Sequence, residues 1–514
     1  MRTYNNPVIR GFNPDPSVLR VGDDYYCVTS TFQYFPAIPI YHSKDLVNWK
    51  RIGHAITESE YLDLSNSADS HGIWAPDISY HGGKYWIFAP FRLNNEDTEN
   101  GENQTGRLRI QLVMWADRPE GPYSAPQVVE VDDIDPSHFV DEDGTRYMIT
   151  APGVTVTQLD ATGTKIVKPP VTVWEGTNRA PEGPHILKKD GYYYAILAEG
   201  GTGFGHRISI ARAKDLYGPY EVCPHNPVLM QTDREALIQK SGHGKLVQTQ
   251  NGDWWVMYLC ARRNIDDHCT LGRETAMDPV VWTDDGWFSV GSGVPSHEQT
   301  APNLPEHKWE LPPVRDDFDQ NALSLEWMFV RNPKAGNYSL TERPGHLRLK
   351  GSLYDLSEVR AYNTVVRRET ELSYQAIAKL AYAPDFDGQE AGLVCYSGIH
   401  TFIKLCKAQV GGKIVYHVIQ SVNGVLTVLG EAEASQGLGD VFFKIDVKAQ
   451  SRQFLYSHDG DNWTQVAVAA DCRFLSTEHN TIGKHHTGTM VGMYHHNPTY
   501  RYVNADFDWF EYSV

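Results

Sequence analysis

Asp15-Pro16-Ser17-Val18-Leu19, followed at once by Gly22-Asp23-Asp24-Tyr25-Tyr26, reads as a short apolar strand, a tight polar turn and an aromatic strand. Gly and Asp supply the left-handed backbone angles a short hairpin loop needs, while Val, Leu and Tyr suit a pleated, half-buried surface. The phrase returns as Asp77-Ile78-Ser79-Tyr80 before Gly82-Gly83-Lys84-Tyr85-Trp86, and as Asp135-Pro136-Ser137-His138-Phe139 before Glu142-Asp143-Gly144. It returns again as Glu182-Gly183-Pro184-His185-Ile186 before Asp190-Gly191-Tyr192-Tyr193, and as Gly242-His243-Gly244-Lys245-Leu246 before Asn251-Gly252-Asp253-Trp254-Trp255. Each copy predicts a hairpin. Outer phrases such as Ser43-Lys44-Asp45-Leu46, Arg118-Pro119-Glu120-Gly121-Pro122 and Ala213-Lys214-Asp215-Leu216 extend the hairpins into four-stranded units.

Five such units, with leading residues roughly 47 to 62 positions apart, predict a five-bladed β-propeller over residues 1–305, an irregular β-sandwich being the alternative. The leading residue of each copy starts the innermost strand. The propeller therefore brings Asp15, Asp77, Asp135, Glu182 and the Gly242-His243 pair to one end of the central axis. Prolines 302, 305, 312 and 313 then mark a linker that cannot continue a regular ladder. Beyond it, short alternating strands such as His346-Leu347-Arg348-Leu349-Lys350 and Phe442-Phe443-Lys444-Ile445-Asp446-Val447 predict a β-sandwich over residues 316–514. The expected fold class is all-β.

Composition narrows the partners. Against 46 basic residues stand 64 acidic ones, a net charge of −18 that repels nucleic acid and anionic lipid surfaces. No apolar run approaches the roughly 20 residues of a membrane helix. The start, Met1-Arg2-Thr3-Tyr4-Asn5-Asn6-Pro7, lacks the apolar core of a secretory signal, so a cytoplasmic protein is expected. Seven cysteines without CxxC spacing read as buried thiols. The 13 Trp and 28 Tyr fit stacking on sugar faces.

Two carboxyl groups facing each other across a pocket are the minimum equipment for glycosidic hydrolysis: one protonates the leaving oxygen, the other activates water or attacks. Crowding raises the pKa of at least one member, so an acid can stay protonated near neutral pH beside an ionised base. Each Asp taken singly reads as an Asx-turn residue sooner than as a catalytic one; their recurrence at equivalent places weakens that reading. A glycan-binding protein without chemistry is the competing reading, but a binder gains nothing from a crowded acid cluster.

The motifs Asn13-Pro14-Asp15-Pro16-Ser17, Tyr34-Phe35-Pro36, Trp74-Ala75-Pro76-Asp77, Ile134-Asp135-Pro136-Ser137 and Glu182-Gly183-Pro184-His185, with the ending Ala505-Asp506-Phe507-Asp508-Trp509-Phe510, resemble in order those of glycoside hydrolase family 43, in particular its two-domain β-xylosidases and α-L-arabinofuranosidases. The resemblance covers nearly the whole chain. It implies an inverting exo-glycosidase releasing terminal xylose from β-1,4-xylo-oligosaccharides, with α-L-arabinofuranosyl groups as further substrates. Asp15 would be the general base, Glu182 the general acid, and Asp135 the residue that tunes and orients Glu182. Asp77 would support the site. Arg273 would bind sugar hydroxyls, with Phe32, Phe35 and Trp74 as pocket walls and His243 on the axis.

No organic cofactor is expected; a structural or electrostatic calcium near His243 is allowed for, and the chain is expected to form a homo-oligomer. Ala37 stands where the family pattern has Gly, which puts the neighbouring loop's backbone angles in doubt. The polar insertion Asn94 to Gly106 reads as a solvated loop or a lid. His485 and His486 are candidates to reach the propeller mouth from the second domain.

Overall fold

The computed structural model describes residues 2–93, 108–362, 364–434, 439–483 and 485–514. The insertion Asn94 to Gly106 lies outside them. The first three hundred residues form five antiparallel sheets arranged as propeller blades. Their innermost strands are Ser17–Val21, Asp77–His81, Ile134–Val140, Glu182–Lys189 and Ile238–Gln248, the five predicted hairpin leaders. Each packs against its neighbours around the axis, and the fifth closes on the first. The second strands, such as Tyr192–Glu199 and Trp254–Arg262, carry runs of buried residues because both faces of a blade are covered by adjacent blades.

The N-terminus closes the ring. Thr3–Asn5 pairs antiparallel with Glu298–Thr300. Asn6 Nδ2 donates to the Met277 carbonyl at 2.8 Å, and its Oδ1 accepts from Met277 N at 2.9 Å.

Residues from Arg315 onward supply fifteen of the sixteen strands in two stacked eight-stranded antiparallel sheets. Ser373–Ala381 shows the expected period of two, with Tyr374, Ala376, Ala378 and Leu380 facing a core that also holds Leu347, Phe443, Ile445 and Phe507. One strand of this sandwich comes from elsewhere: Tyr34–Phe35, from the first blade's loop, pairs with Met328–Val330 at the edge of a sandwich sheet, Phe35 opposite Phe329. The two domains therefore share a sheet.

Candidate active site

A cavity of about 290 Å³ opens at one end of the propeller axis, lined among others by Asp15, Asp135, Glu182, His243, Arg273, Phe32, Trp74 and His486. The backbone delivers these groups by local irregularity. Asp15, Asp135 and His243 adopt positive φ angles of 56°, 53° and 48°, and Gly183, after Glu182, has φ 60°. The inner-strand registers shift between Ile134 and Ser137, between Glu182 and His185, and around Gly242. Such bulges re-aim a side chain from the blade to the axis, at a cost of order 1–3 kcal/mol for each strained residue, and they cluster at functional sites.

Asp15 is buried. Its Oδ1 accepts from Arg273 Nη1 at 2.8 Å and its Oδ2 from Ser30 Oγ at 2.5 Å. Burial pushes its pKa upward, but Arg273, His243 and Ser30 outweigh that and hold it below the usual carboxylate range. Glu182 goes the other way: burial first, then the charges of Asp135 and Asp15, raise it to about 8. Asp135 is also raised, by burial and by Asp15 against the pull of His243. Its Oδ2 accepts from Gly183 N at 2.9 Å, so it clasps the backbone next to Glu182 as well as facing it with charge. His243 Nδ1 stands 3.8 Å from Asp15 and 3.9 Å from Asp135. One carboxylate is thus poised to stay ionised while a second holds a proton at neutral pH, the division of labour that acid–base chemistry requires.

The predicted site residues divide cleanly. Phe32 and Trp74 wall the cavity, held side by side by the Phe32–Ile73 bridge. Gly72 is required there, because a Cβ would lie 2.2 Å from the Phe32 carbonyl oxygen. Arg273 lies under Phe32, its guanidinium 5.6 Å from the ring centre. Phe35 is not a wall of this cavity: pairing with Phe329 turns it into the core shared with Ala37 and Ile38. Ala37 itself is a buried strand residue absent from the positive-φ positions, so the backbone there needs no glycine. His486 reaches the cavity from the sandwich; His485 does not, and bonds instead to the Ile482 carbonyl.

Asp77 sits deeper than the other leading residues. It begins a regular strand without a bulge, opposite Phe88. Its carboxylate accepts from Ser17 Oγ at 2.7 Å and from His138 N at 2.9 Å, groups two and three positions beyond Asp15 and Asp135. It supports the inner strands rather than facing the cavity. The calcium allowed for near His243 fits poorly. Two residues along the same strand, Lys245 donates to Asp77 Oδ1 at 2.5 Å, Ser17 Oγ at 3.0 Å and the Ile78 carbonyl at 2.8 Å. Those are the oxygens that a hard divalent cation would draw on, and an ammonium already neutralises them.

Three residues at the site escaped the sequence reading. Arg179 and Thr202 line the cavity, and behind its wall His206, fully buried, places Nε2 3.9 Å from Glu182. Burial pushes His206 down to about 3, so its ring is neutral. The signal for Thr202 and His206 was present in the run Gly200-Gly201-Thr202-Gly203-Phe204-Gly205-His206, because glycines concentrate where backbone approaches a site. Arg179 stands in an ordinary polar loop and had no such signal.

A propeller whose axis presents an ionised and a protonated carboxyl group to one small cavity defines a glycoside hydrolase. The model of glycosyl hydrolases family 43 matches residues 4–288, and that of the β-xylosidase C-terminal concanavalin A-like domain matches residues 315–513. A xylan 1,3-β-xylosidase of a Vibrio species is 38% identical, the match covering 99% of each chain. A non-reducing-end α-L-arabinofuranosidase of Bacteroides ovatus is 37% identical over 99% of this chain and 95% of its own. The crystal structure of a family 43 protein from Bacillus licheniformis superposes with a TM-score of 0.96 at 52% identity, covering both chains completely. The chain belongs to glycosyl hydrolase family 43.

Proposed function

We propose that this chain is an inverting exo-glycosidase that releases terminal xylose from β-1,4-xylo-oligosaccharides and accepts α-L-arabinofuranosyl groups in the same cavity. The observation that carries the reading is the pairing of Asp15, kept ionised by Arg273 and Ser30, with Glu182, kept protonated to about pH 8, on one cavity. Glu182 gives its proton to the glycosidic oxygen as the bond to the anomeric carbon breaks. Asp15 takes a proton from the water that attacks that carbon from the opposite face. Solvent then reprotonates Glu182 and removes the proton from Asp15. Asp135 orients Glu182 through Gly183 and raises its pKa; Arg273 offers a fixed fork of donors to sugar hydroxyls.

Action at a chain end is supported by closure of the cavity. The sandwich residue His486 stands edge-on to Trp74, ring centres 6.4 Å apart, and its carbonyl accepts from Arg273 Nη2 at 3.4 Å. A long polymer threading past would meet that wall. The names of the Vibrio and Bacteroides relatives support both sugars, while the β-1,4 linkage rests on the motif resemblance. The chemistry asks for no organic cofactor. Residence in the cytoplasm, supported by seven buried free thiols, and self-association, supported by exposed Val425, Leu426 and Val428 on an edge strand, belong to the same proposal.

Proton NMR of the first product from 4-nitrophenyl β-D-xyloside tests it. α-Xylose should form first, and the paired arabinofuranoside should also be cleaved. First release of β-xylose, or no cleavage of either glycoside, would refute the reading. Xylobioses linked β-1,3 and β-1,4 then rank the two linkages.

A further inference from the structure

The loop that ends in Trp74 is held by both domains: on the propeller side Ser70 N donates to Gln33 Oε1 at 2.9 Å and Trp74 N to the Pro90 carbonyl at 3.2 Å, and the sandwich grips it as well. Arg331, in the sandwich and almost fully buried, donates from Nε to the Ser67 carbonyl at 2.6 Å and from Nη2 to Asp69 Oδ1 at 3.0 Å. Ile399 N, also in the sandwich, donates to Asp69 Oδ2 at 2.7 Å. Asn332 closes the start of the loop, accepting from Leu64 N at 2.5 Å and donating to the Leu62 carbonyl at 2.8 Å. Gly398 lets this contact form, since a Cβ there would lie 2.5 Å from Asp69 Oδ2.

The residue after Asp69 divides the constraint between both walls of the cavity. Ser70 is fully buried. Its carbonyl accepts from Trp74 Nε1 at 2.9 Å, and its Oγ accepts from His486 N at 2.9 Å. A rigid path therefore runs from Arg331 through Asp69 and Ser70 to the propeller wall Trp74 and the sandwich wall His486.

We propose that the Asp69–Arg331 ion pair is an interdomain positioning clamp that fixes Trp74 against His486 and so sets the fit of the terminal sugar. The clamp rests on the exo-glycosidase reading for what the cavity holds. Neither residue lines the cavity or touches the acids, so loosening the clamp alters sugar binding first and leaves the protonation of Glu182 in place. The pair is well suited to this. A buried ion pair gives geometric definition more reliably than net stability, and a planar guanidinium spanning two acceptors cannot be replaced by a single ammonium.

Asp69→Asn and Arg331→Lys, made in the full chain, test the clamp with two readouts. Each should raise KM for 4-nitrophenyl xyloside at least tenfold, leave kcat within a factor of three and leave the alkaline limb of the kcat/KM profile in place. The double variant should fall short of the product of the two single effects, because the Asp69–Arg331 bond is lost in both. Independently of substrate, exchange of the Trp74 indole N–H with solvent, assigned by its loss in Trp74→Phe, should quicken at least tenfold in Asp69→Asn. Melting curves verify that each variant is folded. If Arg331→Lys fails to fold, Asp69→Asn and Ser70→Ala carry the test. Unchanged KM with unchanged indole exchange in folded variants overturns the clamp. A wild type that turns over neither xyloside nor arabinofuranoside overturns the functional reading, and the indole exchange then still decides the clamp.

Discussion

Glu182 and Asp15 are both carboxylic acids in one cavity, and their environments push them apart. Burial dominates for Glu182, which is lifted to about 8; for Asp15 a guanidinium at 2.8 Å and a hydroxyl at 2.5 Å more than cancel burial. Asp135 is the lever between them, since its charge is the largest Coulombic contribution raising Glu182. The sign follows. Removing a neighbouring negative charge makes ionisation of Glu182 easier, so in Asp135→Asn the alkaline limb of kcat/KM, which reports the free enzyme's acid, should move downward from near pH 8 by about one unit or more. A pH–rate profile of wild type and variant checks it, and an unmoved limb would detach Asp135 from the acid. In the sequence the repeat brought Asp15, Asp77, Asp135 and Glu182 together at one end of the axis, and the resemblance to family 43 singled out Asp15, Asp135 and Glu182 among them. Which groups hold Asp15 down was not legible there, since Arg273 and His243 reach it only when the fifth blade meets the first.

At the scale of the element, the inner strands matter through their irregular starts. Asp15, Asp135 and His243 take left-handed backbone angles that an ordinary strand never uses, whereas Asp77 starts a regular strand and drops to a deeper level on Lys245. The hairpin phrase revealed the strands but not the bulges, so Asp77 and Asp135 read alike in one dimension and part in three. Phe35 shows the same limit. Its motif is real, yet its direction is decided by pairing with Phe329, almost three hundred residues away. A glycine at a bulge and one in a hairpin turn give a direct test. Gly183 has φ 60°, and a Cβ there would come within 2.9 Å of the His243 ring; Gly191 has φ 73° with open space around it. Alanine at either site should cost about 1–2 kcal/mol for the left-handed conformation. Only Gly183→Ala should also lower kcat, by more than about tenfold, because the displaced ring stands beside both Asp15 and Asp135. Melting and turnover of the two variants side by side separate backbone strain from damage to the site.

The whole molecule joins a propeller and a sandwich whose dependence on each other no local pattern announced. A propeller strand completes a sandwich sheet, and the sandwich returns His486 and Arg331 to the cavity and its supporting loop. Gly272 and Gly488 allow this contact; a Cβ on Gly488 would lie 2.1 Å from the Leu271 carbonyl oxygen. The second domain is thus part of the pocket's construction: the propeller supplies the carboxyl groups, and both domains supply the walls. The central claim concerns the acids. Glu182→Ala should lower kcat/KM for xylobiose, whose sugar leaving group needs a proton, by about 10²–10⁴-fold. An activated aryl xyloside, which departs without proton help, should lose less than about tenfold in the same measurement. Equal losses on the two substrates would contradict the assignment of Glu182 as the general acid.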